Sequence, residues 1–181
     1  MMEAAMAGKA KIIRETDLVK RITSTINNVL SALGERKPSS KYEIDDLGMP
    51  HKPKTLAKGK SAVYLFYCPK ERGFLKIGRV GPQSGSRFSY QHYNPTYAKS
   101  NLANSILKDK KMSEKYGLSE SNIADWIKKN CRRIDILVVE EQTPSKYSFR
   151  SELMEASLHY TFKPMYEGKF SREAGEERSH E

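Results

Sequence analysis

Ala62-Val63-Tyr64-Leu65-Phe66-Tyr67 is followed by Pro69-Lys70-Glu71-Arg72-Gly73, and that by Phe74-Leu75-Lys76-Ile77-Gly78. Two short apolar and aromatic runs flank a turn rich in proline, glycine and charge, a pattern that predicts two β-strands folded into a hairpin. Each strand carries a polar side chain that packing alone does not require, Tyr64 early in the first and Lys76 late in the second. Arg79 follows at once. Arg87 lies beyond Val80-Gly81-Pro82-Gln83-Ser84-Gly85-Ser86, a loop by composition. A phenol, an ammonium and guanidinium groups gathered by one hairpin suit phosphate chemistry.

Outward from the hairpin, Ile12, Ile13, Leu18, Val19, Ile22, Ile26, Val29, Leu30 and Leu33 recur at helical steps, with Gly34 as a stop. The resulting apolar stripe needs a partner surface, either the main domain or a second copy, and a homodimer through this N-terminal helix is one expectation. Residues 37–60 lack periodicity, hold Pro38, Pro50 and Pro53, and read as a basic linker or arm. The compact part begins near Ser61. A helical turn is expected over Arg87–Tyr93, helices over Leu102–Lys108 and Ser119–Asn130, a third strand over Ile134–Val139, and a last helix over Phe149–Phe162 that Pro164 ends. The charged tail after residue 170 is expected to be disordered. The chain therefore divides into an N-terminal helical extension (1–36), a basic arm (37–60), a main domain (61–170) and a tail (171–181). The fold class is α/β of the α+β kind: a small three-stranded, mostly antiparallel sheet flanked by helices.

The 181 residues are 38% hydrophobic and 30% charged, as in a rather polar protein, with no apolar run long enough for a membrane span. Cys68 and Cys131 lack metal-ligand spacing and read as two reduced thiols, so a cytoplasmic location is expected. The net charge of +10 favours a nucleic-acid partner. It is clustered: Lys52, Lys54, Lys58 and Lys60; Lys108, Lys110, Lys111 and Lys115; Lys128, Lys129, Arg132 and Arg133.

The last helix carries Glu152, Glu155 and His159 at spacings of three and four, which places them on one face. Such a helix-borne carboxylate suits Mg²⁺, which takes few protein ligands and keeps several waters. Together these residues resemble the GIY-YIG nuclease family over 62–168, about three-fifths of the chain. The naming motifs correspond to Ala62-Val63-Tyr64 and Lys76-Ile77-Gly78. Arg87 follows at the expected place, and Glu155 stands nine residues before Pro164, as in the metal-binding helix of that family. The sequence departs from the pattern at Ala62, at Lys76 (a tyrosine in the family) and at Glu167, where an asparagine is usual.

The resemblance implies a DNA endonuclease that uses one Mg²⁺ or Mn²⁺. Glu155 is the implied metal ligand, and Tyr64, Lys76, Arg87 and His92, with Tyr90 as the alternative to His92, are the implied catalytic groups. A phenol with a pKa of about 10 is a poor base at neutral pH, and the neighbouring Lys76 and Arg87 are expected to favour its phenolate. The stretch from Tyr90 to Asn101 is dense in Tyr, Asn, Gln and His. It offers Tyr90, Gln91, Tyr93, Asn94, Tyr97, Lys99 and Asn101, with Arg79, as substrate contacts. The Lys76 departure leaves open a nucleic-acid-binding module with weakened catalysis, and an RNA-acting nuclease shares the same chemistry.

Overall fold

A computed structural model of the chain describes residues 15–81, 88–96, 101–139 and 149–166. Four strands form one antiparallel sheet in the order β1-β4-β2-β3. They are β1 Tyr42–Gly48, β2 Ser61–Cys68, β3 Gly73–Val80 and β4 Arg132–Val138. The hairpin expected at 62–78 is β2 and β3, in register from Ala62 opposite Val80 to Cys68 opposite Gly73. The pairing shifts between Phe66 and Tyr67, so that Leu75 is the extra residue of a bulge.

The sheet has four strands where three were expected. The additional one, β1, lies within the stretch read as a linker, and it pairs along β4 from Tyr42–Val138 to Gly48–Arg133. Its sequence, Tyr-Glu-Ile-Asp-Asp-Leu-Gly, carries three acids on an edge strand. Charge of that kind keeps an open edge from pairing with other chains, and the second acid in a row, Asp46, cuts short the alternation of Tyr42-Glu43-Ile44-Asp45.

β2 is buried along all eight residues because both sheet faces are covered. Its alternation sorts them: Ala62, Tyr64, Phe66 and Cys68 enter one core cluster, Val63, Leu65 and Tyr67 the other. The first cluster is closed by α2 (Leu102–Lys108), α3 (Lys110–Tyr116) and α4 (Ile123–Asn130) through Leu102, Ile106, Met112, Ile123 and Ile127. The second is closed by α1 (Glu15–Ala32) and α5 (Phe149–Phe162). Ser119–Asn122, expected as the first turn of α4, precedes that helix instead, and α3 is a helix that apolar periodicity did not reveal.

The stripe of α1 is consumed inside the chain. Leu18, Ile22, Ile26 and Leu30 are at most 3% exposed, each contributing about 1.5–3 kcal/mol of apolar burial. The helix ends where expected: Gly34 takes φ +89°, and the Glu35 amide bonds back to Leu30 O at 3.0 Å. Of the expected stripe, Leu33 is 66% exposed, and Ile12 and Ile13 lie outside the described residues. Among the described residues, no helix is long and apolar enough to cross a membrane.

Candidate functional site

Tyr64 stands opposite Gly78 on the edge strand β3. The absent side chain at Gly78 lets the phenol lie across that strand. A Cβ there would come within 2.3 Å of Tyr64 Oη and 2.6 Å of Cζ, closer than packed atoms allow. His92 packs on the Tyr64 ring, centroids 4.5 Å apart, and its ring also meets Phe66 at 5.7 Å. Lys76 is two residues before Gly78 and opposite Phe66, which puts it on the same face. Tyr64, Lys76 and His92 are all buried, at 0%, 5% and 1% exposure.

Glu155 belongs to α5, against the opposite face. Arg79 reaches it from β3, with Nε 3.1 Å from Glu155 Oε2 and Nη2 2.6 Å from Glu152 Oε1. His159 Nε2 donates to Ile77 O at 3.0 Å. The three α5 residues expected on one helix face thus all address β3. Because Arg79 follows Gly78 directly, the phenol from one face and the carboxylates from the other converge on two consecutive residues of the sheet's free edge.

Behind Tyr64 lies a buried polar network built on β4. Arg133 and Asp135 are two residues apart in a strand and so point the same way. Arg133 Nε donates to Asp135 Oδ1, Nη1 to Tyr93 Oη and Nη2 to Phe88 O, each at 2.9 Å. Its guanidinium lies 4.6 Å from the Phe88 ring centre and 5.5 Å from that of Phe66. His51 Nδ1 donates to Cys131 O at 2.8 Å, which leaves Nε2 to accept from Tyr93 Oη at 2.9 Å. That arrangement requires a neutral imidazole. Burial, helped by Arg133 and Lys128, holds His51 down to about 4 despite the Cys131 carbonyl. Burial likewise pushes Tyr93 up to about 12. Asp135 is pushed up to about 6 because burial outweighs Arg133, and its Oδ2 has no donor among the described residues. The network ties Phe88 and Tyr93 to the sheet and so fixes the turn that carries His92.

Two residues expected as substrate contacts lie in the interior. Tyr93 is bonded between Arg133 and His51 in the interior, and Asn101 caps α2, its Oδ1 accepting from the Asn104 amide at 2.7 Å and its Nδ2 donating to Asn94 O. Both side chains are buried and bonded within the fold. Tyr90 and Asn94 are exposed and Gln91 half-buried. Arg87, Tyr97 and Lys99 lie outside the described residues. Sequence reasoning missed Arg133, Asp135 and His51 as supports of the site. The signal available was a pair of opposite charges at i and i+2 within an apolar strand, which places an ion pair in the core.

Cys68 and Cys131 are free and buried. The neighbouring Cys131 thiol, with the Lys70 and Glu71 amides, draws Cys68 down to about 7, while Cys68 and burial raise Cys131.

Among the described residues no group of three or more His, Cys, Asp or Glu is placed to hold a metal. Mg²⁺ needs fewer: one or two carboxylates suffice when water and phosphate complete the shell. Glu152 and Glu155, one helical turn apart and turned to one guanidinium, match that hard-oxygen requirement. No family model, no curated protein and no solved structure matches this chain.

Proposed function

We propose that the chain is a metal-dependent endonuclease that hydrolyses DNA phosphodiester bonds at the β3 edge. The supporting observation is the convergence of Tyr64 with the Arg79–Glu155 pair on Gly78 and Arg79. Glu155, with Glu152 beside it, would hold Mg²⁺ or Mn²⁺, which supplies Lewis-acid charge for the phosphate and its leaving oxygen. Tyr64 orients the attacking water and takes its proton. Lys76, on the same face, favours the phenolate electrostatically. Arg79 offers a guanidinium fork to phosphate oxygens, and His92, once swung off the phenol, would hold the attacking water or the scissile phosphate. Tyr64 is covered in the resting chain, so reaction requires the side chains over it, His92 among them, to move aside.

The test is incubation of the purified chain with labelled single- and double-stranded DNA, with Mg²⁺, Mn²⁺ or chelator. Metal-dependent cutting that falls at least about 100-fold in E155Q and Y64F supports the proposal, and absence of cutting across metals and pH refutes it. Cutting of RNA alone reassigns the substrate. A second reading has its own support: the burial of Tyr64 and Lys76 and the engagement of Glu155 by Arg79 suit a nucleic-acid-binding module without catalysis. DNA binding without hydrolysis decides for it.

A further inference from the structure

The segment between β1 and β2 is a strap clamped to the α2–α4 side of the sheet. At its start, the His51 amide donates to Lys128 O at 3.0 Å, and the His51 ring is bonded to Cys131 O and Tyr93. In its middle, Leu56 packs against the core and Lys54 Nζ lies 2.5 Å from Asp45 Oδ2. At its end, Lys60 leads into Ser61, which pairs with Val138. The strap thus runs from one end of β4 to the other, about 20 Å at ordinary strand rise.

With His51 and Leu56 turned inward, the lysines are left outside. Lys52, Lys58, Lys60 and Lys129 are exposed, and the clamp at Lys128 sets the start of the strap, next to Lys52, against the end of α4. Two clusters that are far apart in sequence therefore meet at the Lys52 end of the strap. Acids on that surface occupy other cations: Asp45 takes Lys54, Asp46 takes Arg132 and Asp125 takes Lys128. Among the described residues, Lys52, Lys58, Lys60 and Lys129 have no carboxylate partner. On α3 the pairing singles out Lys115, whose Nζ is 2.8 Å from Glu71 Oε1; Lys108, Lys110 and Lys111 are cations off the strap and serve as the comparison.

We propose that Lys52, Lys58 and Lys60 of the strap, with Lys129, form a phosphate track that grips one strand of a nucleic acid and leads it to β2, four residues before Tyr64. A 20 Å track matches about six phosphates of one strand at 3.4 Å each. The spacing carries no base recognition, so the grip is independent of sequence. This deepens the nuclease reading by assigning its substrate surface, and it also stands for a chain that binds without cutting.

Binding of the full chain to a labelled DNA of fixed sequence is measured in chelator over a series of salt concentrations. The wild type is compared with K52Q/K58Q/K60Q and, for equal charge removed elsewhere, K108Q/K110Q/K111Q. The strap variant is expected to lower the slope of log affinity against log salt by about 2–3, at 0.7 to 0.9 per phosphate contact. The α2–α3 variant is expected to lower it by less than about one. Melting curves of both variants matching the wild type show that the fold is retained. Equal slope changes in the two variants, or none in the strap variant, overturn the track. Metal-dependent cutting with an unchanged strap slope removes the track and leaves the nuclease. A lowered slope without cutting leaves the track and removes the nuclease.

Discussion

Replacing Asp135 by Asn tests the buried network through its dependence on pH. Asp135 and His51 titrate in opposite senses over the same window. Between about pH 4 and 6 the folded chain keeps the Asp135 proton that the unfolded chain, titrating near 3.8, has released. The native state then holds more protons, so stability falls as pH rises. Between about pH 4 and 6.5 the unfolded chain protonates His51 while the folded chain leaves it neutral, and here stability rises with pH. At 1.36 kcal/mol per pH unit, each displacement is worth about 3 kcal/mol, and the two nearly cancel in the wild type. D135N removes one limb and keeps an acceptor for Arg133 Nε. The variant should therefore gain about 3 kcal/mol relative to the wild type between pH 4 and pH 7.5. Urea unfolding at half-unit pH steps reads this difference directly, and any fixed cost of the amide drops out of its slope. A difference that stays level with pH, or moves against D135N, refutes the reasoning. It would mean that Arg133 repays the burial of the carboxylate, and losing it would then cost about 3–5 kcal/mol at neutral pH.

G78A forces a Cβ into Tyr64 and should cost about 1–3 kcal/mol; part of that should return in G78A/Y64F, a coupling read by thermal melts of the double-mutant cycle. I22A removes a fully buried α1 side chain and should cost about 2–5 kcal/mol in urea unfolding, whereas a detachable extension would leave the unfolding midpoint unchanged. N101A removes the α2 cap and should lower stability by about 0.5–2 kcal/mol, while a substrate-contact role would instead weaken DNA binding with stability intact.

The hairpin, α2 and α5 were legible because each rests on local signals. Aromatic runs flank a punctuated turn, Asn94-Pro95 breaks the chain ahead of the Leu102 helix, and Pro164 closes the Phe149 helix. The faces of α5 were legible too, since Glu152, Glu155 and His159 follow from helical spacing. β1 was not, because the alternation Tyr42-Glu43-Ile44-Asp45 is short and Asp46 interrupts it, within a stretch rich in proline and lysine. α3 is bounded by Asp109, which accepts from the Met112 amide at 3.1 Å, and by Gly117 at φ +59°. Those caps were the only local marks of a lysine-rich helix with one buried apolar residue. The place of Tyr93 could not be read locally, because Arg133 and His51 reach it through tertiary contact; Asn101 had a local cue, its position just before Leu102, and its cap bond runs to the Asn104 amide.

The pairing of Tyr42 with Val138 bears on synthesis. While the chain leaves the ribosome, β1 and the apolar side of α1 emerge long before β4 and α5, the elements that cover them. The nascent N-terminal third holds an unpaired strand and an uncovered leucine-isoleucine ridge until the C-terminal third has been made. Contacts so distant along the chain form slowly, and exposed surface of this kind invites aggregation. A chaperone that engages α1 early and releases it once β4 emerges would raise the yield of folded protein without acting on the finished molecule.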